Sequence, residues 1–455
     1  MIKNVSVFGL GKLGASMAAG MASRGLQVTG VDISQAAVDA LNSGCAPVQE
    51  TGLDALIKAN CERLRATTDA VEAVKASDIS FVIVPTPSDR RGAFELQYAK
   101  YAFKSIGEAL AKKEGYHVVV LTSTVLPGAT RNGLLPVLEQ ASGKKCGPDF
   151  GLCYSPEFIA LGTVIRDFLN PDLYLIGQFD TRSGDALEDV NRSVCQKDPA
   201  VHRMTIENAE IAKIALNSFV TMKVSFANTL ADICERIPGG DVDAVSDALG
   251  SDSRIGRKYL TGGMGFAGPC FPRDNVALTF LCRQIGASPD LLETNDRYNR
   301  LLAPRFVEKL AGLVSKGETV AVLGLAYKPL SHVVEESQGV FLARAFADAG
   351  LRVVGFDPLA AQGAREALRD HALIVESLEA ALRDAALVVI TTPDDTFKNL
   401  TTAQLLDGKD SVTVVDFWRC LSTEVRNDPA IRYIGMGTFR PETSAARVLE
   451  ELWKE

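Results

Sequence analysis

The sequence of 455 residues has no apolar run long enough to cross a membrane and no pattern typical of a secretory leader. No apolar stretch reaches the ~18 residues that a membrane-spanning helix needs. The first three residues lead directly into the apolar segment 5–8, without a basic region, a long apolar core and a cleavage site. We therefore expect a cytoplasmic protein with neither a signal peptide nor a membrane span.

The cysteines of the sequence also do not occur at the spacings that are typical of metal sites. The nine cysteines are scattered, and none of them forms a CxxC pair or a Cys/His pattern. This favours reduced thiols in a cytoplasmic protein and predicts no metal site. A net charge of −8 argues against nucleic acid or an acidic membrane as the main partner, while leaving room for a local basic pocket that holds a phosphate.

What the sequence does contain is an ordinary globular composition, with 47% hydrophobic and 23% charged residues. Its length predicts two or three domains with ample core.

The N-terminal segment predicts a strand, a glycine turn and a helix. An apolar run at 2–8 precedes Gly-Leu-Gly-Lys-Leu-Gly at 9–14, and small residues continue to Ser23. These glycines allow a tight turn, close approach of a pyrophosphate and packing of the helix on a sheet. A second strand at 27–31 ends in Asp32, which suits the ribose hydroxyls of NAD, and no arginine follows at 33–35 for the extra phosphate of NADP. The alternative is a doubly wound domain that binds something else.

Three further predicted strands end in polar or proline-containing segments. The strand at 79–84 ends in Pro85-Thr86-Pro87, that at 117–122 ends in Ser123-Thr124-Val125, and that at 150–154 leads to Glu157. Ligands of open α/β sheets bind beyond the carboxyl ends of the strands, so these segments point to the cofactor crevice. Taken singly, Thr124 and Glu157 would be ordinary turn residues.

A long helix is predicted at 208–236, ended by Pro-Gly-Gly at 238–240. Its apolar residues recur at helical spacing: Ile211, Ile214, Ala215, Phe219, Met222, Phe226 and Leu230. Lys213 and Asn217 lie four residues apart on one face, an arrangement that usually indicates a solvated surface.

The segment 262–275 combines four glycines with a cysteine between two prolines. Glycines let a backbone approach a ligand and adopt positive φ, so the run predicts a loop shaped around a ligand. Pro272 favours the first turn of a helix, which places Cys270 near a helix N-terminus that favours the thiolate. Asp274 follows one turn later on the same face. The pattern predicts a covalent catalytic site, and the alternative is a buried cysteine at a loop–helix junction.

The doubly wound pattern begins again at 319–323, followed by Gly-Leu-Ala-Tyr-Lys-Pro at 324–329, a helix at 337–349 and a strand ending in Asp357. Strands at 387–390 and 412–415 complete it. Because this turn lacks GxGxxG, we expect it to bind a nucleotide other than NAD. The predicted fold is α/β, with two doubly wound domains, 1–200 and 311–455, joined by a long central helix and a helical middle domain at 201–310.

Together these motifs resemble the nucleotide-sugar dehydrogenase family over nearly the whole chain. The motifs that carry the resemblance are those at 9–14, 84–87, 123–125, 156–158, 208–213, 268–274 and 324–329, with Asn217. The form Phe-Pro-Arg-Asp at 271–274 is more similar to the UDP-glucose and GDP-mannose branches than to the N-acetylhexosamine branch. The resemblance implies an N-terminal NAD domain, a C-terminal domain for the substrate nucleotide, and a homodimer or higher homo-oligomer built on the central helix.

The resemblance also implies a reaction: four-electron oxidation of the sugar C6 alcohol to a uronic acid, through an aldehyde and a thioester on Cys270. The implied catalytic residues are Cys270, Lys213, Asn217, Asp274, Glu157 and Thr124, with Lys213 and Asn217 stabilising the oxyanion and Asp274, Glu157 and Thr124 holding water. The expected NAD contacts are Gly9, Gly11, Lys12, Leu13, Gly14, Asp32, Pro85, Thr86 and Thr124. The expected substrate contacts are Glu157, Lys213, Asn217, Tyr259, Gly265, Gly268, Lys328 and Arg254, the last lent by a neighbouring subunit.

Three positions depart from the family pattern. Leu161 stands where a second glutamate is usual, Glu335 stands where an arginine is usual, and Arg273 replaces a lysine while keeping its charge. Glu335 either lines the pocket and alters substrate choice or is solvated. Two functions stay open at this point: an active UDP-sugar, GDP-mannose or UDP-N-acetylhexosamine dehydrogenase, or a binding protein that kept the ligands and lost turnover.

Overall fold

The computed structural model describes residues 2–159 and 162–454. The chain divides into two compact units, Met1–Leu216 and Asn217–Glu455, here called the first and second units. None of the helices in the described ranges has the length and apolarity that a membrane span requires.

The first unit is built on a doubly wound sheet. Its strands, as far as the structure describes them, have the order β3-β2-β1-β4-β5-β6-β7-β8, and β7 is antiparallel to β6 while the other neighbours are parallel. The strands are β1 Asn4–Phe8, β2 Gln27–Val31, β3 Leu64–Thr67, β4 Ile79–Val82, β5 Val118–Leu121, β6 Gly151–Tyr154, β7 Leu173–Gln178 and β8 Ala200–Thr205. The helices are α1 Lys12–Ser23, α2 Gln35–Asn42, α3 Leu53–Ala59, α4 Ala70–Lys75, α5 Gln97–Leu110, a π-helix Ala129–Leu134, α6 Leu135–Ser142, α7 Val164–Leu169 and α8 Thr181–Val194.

The long helix α9, Ile206–Cys234, runs from the first unit into the second. The second unit continues with α10 Val242–Gly250, α11 Phe271–Ile285, α12 Asp290–Arg300, α13 Leu302–Leu310 and the 3-10 turn Ala311–Leu313. The remaining helices are α14 Gln338–Asp348, α15 Ala361–Leu368, the 3-10 turn Arg369–His371, α16 Leu378–Leu382, α17 Asp395–Lys398, α18 Thr402–Leu406, α19 Thr423–Arg426, the 3-10 turn Pro441–Thr443 and α20 Ala446–Leu452.

A second parallel sheet lies in this unit, in the order β11-β10-β9-β12-β13-β14. Its strands are β9 Thr319–Leu323, β10 Arg352–Phe356, β11 Leu373–Ile374, β12 Ala385–Ile390, β13 Val412–Asp416 and β14 Ile431–Gly435. Both sheets reverse their strand order next to the first strand, between β1 and β4 and between β9 and β12, which is where doubly wound folds bind ligands. The predicted α/β fold is confirmed; the domain boundaries at 200 and 310 stay a prediction.

The sheets are buried on both faces because helices cover each face. In β5, Val118 and Val120 pack into one hydrophobic core, whereas Val119 and Leu121 pack into the core on the other side. Successive side chains of a strand point to opposite faces, so a continuous apolar run is what such a strand requires. This is why these strands could be predicted within a few residues.

Helix α9 buries polar side chains and exposes apolar ones. Glu210 is completely buried, whereas Phe219 is 61% exposed and Phe226 is 55% exposed. The other polar residues of the buried face are Lys213, Asn217, Ser218, Thr221 and Asn228, and the other large exposed apolar residues are Ile211, Leu216 and Ile233. Lys213 and Asn217 are therefore not the solvated pair that their spacing usually indicates. A helix of this kind places its functional groups inside and offers an apolar stripe outside.

Candidate active site

The glycine turn between β1 and α1 has one open position. A Cβ on Gly9, where φ is +96°, would lie 2.1 Å from the Ile83 carbonyl oxygen, and a Cβ on Gly14 would lie 1.9 Å from the Gly9 oxygen. The fold itself requires these two glycines. A Cβ added to Gly11, the N-cap residue of α1, would meet nothing within 4 Å. The turn, with Lys12 and Leu13 at the start of α1, therefore leaves room above the first amides of the helix, where a pyrophosphate binds.

Asp32 lies beside this turn, at the end of β2. Its carboxylate accepts hydrogen bonds from the amide of Leu10 at 2.7 Å and from the amide of Ser34 at 2.9 Å. A carboxylate can accept about four hydrogen bonds, so capacity is left for the hydroxyls of a ribose. The residues of this turn and Asp32 thus fit NAD as the sequence predicts.

The corresponding aspartate of the second unit has no such capacity. Asp357 is buried, and its carboxylate accepts from the amides of Leu325 at 2.7 Å, Ala326 at 2.8 Å, Leu359 at 2.9 Å and Ala360 at 2.8 Å. Four backbone donors use all of its acceptor positions. This is the physical reason why the second doubly wound domain does not repeat the ribose site of the first.

The segments that follow β4 and β5 are hydrogen-bonded to each other. The Ser123 hydroxyl accepts from the Val84 amide at 2.9 Å and donates to the Val84 carbonyl at 2.7 Å, and the Thr86 hydroxyl donates to the Thr124 carbonyl at 2.8 Å. The structure thus brings Thr86 and Thr124 together at the carboxyl edge of the sheet, with Pro85 next to them. The sequence predicts these residues at this edge, because the segments that contain them directly follow two strands of the sheet.

Glu210 is a functional candidate that the sequence did not single out. Its carboxylate accepts from the Gly128 amide at 2.6 Å and the Thr130 amide at 2.9 Å, which ties α9 to the segment after Thr124. Burial raises the pKa of Glu210, and hydrogen bonds from Thr130 and Gly128 oppose this. The residue lies within the motif 208–213, but only the buried face of α9 reveals its role.

Lys213 and Glu157 are neighbours in the first unit. The Lys213 ammonium donates to the backbone carbonyl of Glu157 at 2.6 Å and lies 4.4 Å from the centre of the Phe158 ring. Desolvation by burial raises the pKa of the Glu157 side chain to about 7, and the positive charge of Lys213 opposes the rise. A carboxyl group with a pKa close to neutral can both accept and return a proton at physiological pH.

Asn217 and Asp274 are paired in the second unit. The Asn217 amide donates to one oxygen of the Asp274 carboxylate at 2.7 Å, and the Arg273 guanidinium donates to the other through Nε and Nη2, each at 3.2 Å. Asp274 is 1% exposed. Three donors thus reach the carboxylate, and they hold the Asn217 amide in a fixed orientation. The water-holding role that the resemblance implied for Asp274 stays a prediction. Arg273, which stands where the family usually has a lysine, thus also helps to hold the Asp274 carboxylate.

Cys270 lies at the N-terminus of α11, as predicted. It is the N-cap residue of the helix, Pro272 lies in the first turn, and the Asp274 amide donates to the Cys270 carbonyl at 2.8 Å. The residue is exposed, which argues against the alternative of a buried cysteine. Cys270 directly precedes a helix of 15 residues, and the N-terminus of such a helix favours the thiolate of a nearby cysteine.

The glycines before Cys270 are explained by packing. Of the four, only Gly268 has a positive φ, and a Cβ there would lie 2.5 Å from the Tyr327 ring. A Cβ on Gly265 would lie 2.2 Å from Asn299 Oδ1, and one on Gly263 would lie 2.8 Å from the Phe417 oxygen. A Cβ on Gly262 would likewise lie 2.8 Å from the Ala231 side chain. Each of these glycines makes room for the protein itself. That Gly265 and Gly268 also contact the substrate stays a prediction.

Family models match three consecutive parts of the chain. They describe the UDP-glucose/GDP-mannose dehydrogenase family: its NAD binding domain at residues 3–195, its central domain at 207–301 and its UDP binding domain at 321–423. The chain belongs to this family. The enzyme is thus an NAD-dependent nucleotide-sugar dehydrogenase, and the predictions of NAD and of the family are confirmed.

Individual relatives agree with this assignment of the dehydrogenase. A UDP-glucose 6-dehydrogenase of Haloferax volcanii is 37% identical over 90% of this chain and 97% of its own length. A GDP-mannose 6-dehydrogenase of Pseudomonas aeruginosa is 34% identical over 91% of this chain and 96% of its own. The solved structure of a UDP-glucose dehydrogenase from Pyrobaculum islandicum has a TM-score of 0.84 at 33% identity and covers 96% of this chain and 98% of that one.

The other expected substrate contacts of the dehydrogenase lie on its surface or beside the loop. Arg254 is paired with Asp252 at 2.6 Å and its side chain is 85% exposed. Tyr259, with φ of +67°, makes an edge contact with Phe271, next to Cys270. The Lys328 ammonium lies 5.6 Å from the centre of the Tyr327 ring.

The departures from the family pattern are placed as follows. Glu335 is exposed. Leu161 lies outside the described residues. The influence of either on substrate choice stays a prediction.

Proposed function

We propose that the protein oxidises the C6 hydroxyl of a nucleotide sugar to a uronic acid, with a UDP-sugar such as UDP-glucose as substrate. The observation that carries the proposal is the exposed thiol of Cys270 at the N-terminus of α11, next to the buried pair of Asn217 and Asp274. A nucleotide-sugar binder without turnover has no use for an exposed thiol in this environment. The Haloferax relative, a UDP-glucose 6-dehydrogenase that is 37% identical, supports UDP over GDP.

The first oxidation requires removal of a proton from the C6 hydroxyl and of a hydride from C6. NAD, when bound, accepts the hydride in each of the two oxidations. We assign stabilisation of the developing oxyanion to the Lys213 ammonium and to the second amide hydrogen of Asn217, an effect of several kcal/mol in typical sites. Glu157, with its pKa of about 7, accepts the proton.

The second oxidation uses the sulfur. The Cys270 thiolate adds to the aldehyde carbon, the carbonyl electron pair moves to oxygen, and a thiohemiacetal forms. Loss of hydride from C6 leaves a thioester. Water then adds to the thioester carbon and gives up one proton to Glu157 and one to the solvent. The carbon–sulfur bond breaks, and the thiolate is regenerated with release of the uronate. Glu157 and Thr124 are the groups that we expect to hold this water.

We further propose a homodimer built on the exposed apolar stripe of α9. The stripe runs along the helix through Ile211, Phe219, Phe226 and Ile233, at intervals of seven or eight residues that keep it on one face. Apolar side chains of this size in a continuous row are typical of an interface between subunits. Arg254 is exposed enough to serve a neighbouring subunit, as the resemblance implies. We also retain the functional division at 1–200, 201–310 and 311–455 and a cytoplasmic location.

The test is formation of NADH, followed by its ultraviolet absorbance, with UDP-glucose, GDP-mannose and UDP-N-acetylhexosamines. We expect two NADH for each UDP-glucose and a higher kcat/KM for it than for the other sugars. A preference for GDP-mannose would overturn the assignment of the base. Absence of NADH with the whole panel, while the sugars still bind, would overturn the proposed reaction.

A further inference from the structure

Three buried amide side chains bind the backbone of the loop that leads to Cys270. From α9, Asn228 accepts from the Gly263 amide at 2.8 Å and donates to the Met264 carbonyl at 3.1 Å. The Phe266 carbonyl accepts two further bonds, from Asn299 of α12 at 2.9 Å and from Gln338 of α14 at 3.2 Å. We call Asn228, Asn299 and Gln338 the amide clamp.

The three amides are about as buried as core residues. Asn228 is 5% exposed, and Asn299 and Gln338 are each 4% exposed. An irregular loop has no strand partner for its backbone, so its buried polar groups must be satisfied by side chains or water. Amides satisfy both donors and acceptors without adding a charge near the sulfur, and each bond contributes about 1 kcal/mol.

The clamp lies close to Cys270 along the chain. Three residues separate Phe266 from Cys270, and one of them, Gly268, packs against the Tyr327 ring. On the other side, the Cys270 carbonyl accepts from the Asp274 amide as the first turn of α11 forms. The segment that carries the thiol is therefore held at both ends, by the clamp at 263–266 and by the helix at 270–274.

We propose that Asn228, Asn299 and Gln338 are positioning residues that hold the Cys270 thiol where it can add to the aldehyde. This rests on the proposed function. The first oxidation forms no bond to sulfur, whereas the second begins with attack by the thiolate on the aldehyde carbon. Because a displacement of about 1 Å costs a reaction of this kind on the order of a hundredfold in rate, loosening the clamp slows the second oxidation more than the first.

The experiment compares two asparagines of the same helix. Asn299→Leu removes a clamp bond and keeps the branching and the number of heavy atoms of the side chain. Asn295→Leu, one turn earlier on α12, is the matched control: Asn295 is 6% exposed and donates to the Thr221 hydroxyl at 2.9 Å, away from the loop. Both variants lose one buried hydrogen bond, and thermal unfolding measures how far each is destabilised.

We expect Asn299→Leu to lower the yield from two NADH toward one for each nucleotide sugar, with the aldehyde trapped by hydroxylamine, and to slow the second hydride transfer tenfold or more relative to the first. Asn295→Leu should still yield two NADH for each nucleotide sugar. A second readout needs no nucleotide sugar: the rate at which iodoacetamide alkylates Cys270 should change at least threefold in Asn299→Leu and stay near the parental rate in Asn295→Leu.

The inference is overturned if Asn299→Leu still yields two NADH at the parental ratio of rates, or if both variants lose the two oxidations equally. If Asn299→Leu does not fold, Gln338→Met is used in the same test. Its effect should have the same sign but be smaller, because Asn299 still donates to the Phe266 carbonyl in this variant. Should the parental protein oxidise no nucleotide sugar, the proposed function fails, and the alkylation rates alone decide whether the clamp positions the thiol.

Discussion

The side-chain amide of Asn217 donates to the Asp274 carboxylate over 2.7 Å, and both groups are buried. The bond joins α9 to the first turn of α11, the helix that has Cys270 as its N-cap residue. The orientation of Asn217, a proposed catalytic group, is thereby coupled to the helix that follows Cys270, the proposed nucleophile. The pair also leaves one amide hydrogen of Asn217 available to an oxyanion.

The Asn217–Asp274 bond predicts the effect of changing the carboxylate. Asp274→Asn should lower kcat by about tenfold or more, because a neutral partner holds the Asn217 amide less firmly, and an energy difference of ~1.4 kcal/mol suffices for that factor. Arg273→Lys, which keeps the positive charge beside Asp274, is the control and should retain most of the activity. Steady-state kinetics give kcat for both variants. An equal loss of kcat in the two would contradict the assigned role of Asp274.

Cys270→Ser should abolish formation of the uronate and leave the affinity for NAD nearly unchanged. The hydroxyl is a far weaker nucleophile than the thiolate, so the aldehyde is not captured, whereas the NAD site lies on the glycine turn of the first unit. Product analysis by chromatography and NAD titration by fluorescence measure the two effects. A serine variant that made uronate at the parental rate would show that catalysis is not covalent.

Asp32→Ala should raise the KM for NAD by about tenfold with a smaller effect on kcat, since the ribose hydroxyls lose an acceptor worth ~1.4 kcal/mol. Asp357→Ala is the contrasting variant. It should leave this KM unchanged and lower the free energy of unfolding by about 3 kcal/mol, because buried amides lose their acceptor. Urea unfolding and kinetics separate the two. A raised KM in the Asp357 variant would mean that NAD depends on the second unit.

The raised pKa of Glu157 predicts how activity depends on pH. Burial raises that pKa to about 7, so the carboxylate fraction grows as the pH rises and is half complete near that value. If the carboxylate is the base, kcat rises through this range and levels off above it, and the inflection is missing in Glu157→Gln. A pH profile of kcat for both proteins is the measurement; an unchanged inflection in the variant would assign it to another group.

The same shift has a consequence for stability. The pKa of Glu157 is raised above its ordinary value of 4.5, so ionisation is less favourable in the folded chain than in the unfolded one. Its contribution to stability is therefore complete below pH 4.5 and is lost as the pH rises toward about 7. Relative to Glu157→Gln, the parental protein should lose stability across this window.

The exposed stripe of α9 predicts an effect on assembly. Phe219→Asp should weaken the dimer, because a carboxylate in an apolar interface costs its desolvation free energy. Ile285→Asp is the control, since Ile285 is 68% exposed at the end of α11 and lies outside the stripe. Sedimentation equilibrium gives the mass of each variant. If the two variants have the same mass as the parent, the stripe is not the interface.

The periodicity of apolar residues identified α9 within two residues at each end but did not show which of its faces is buried. Phe219 and Phe226 fitted the ordinary apolar spacing of a helix, and the spacing of Lys213 and Asn217 is usual for a solvated face. Their burial was not predictable, since a helical repeat shows which residues share a face and not what that face contacts. A glutamate and two amides in register with Lys213, at Glu210, Asn217 and Asn228, were the available signal that this face is internal.

The sequence by itself determined the two doubly wound patterns, the NAD turn at 9–14 and the place of Cys270 at the start of a helix. These features depend on local periodicity and on the steric properties of glycine and proline, which act within a few residues. Only the tertiary structure decided that Asp357 is saturated by four amides, that Asp274 is held by Asn217, and that the amide clamp binds the Cys270 loop. Such contacts join side chains far apart in the chain, as with Asn217 and Asp274 at a separation of 57 positions, and packing between elements is what brings them together.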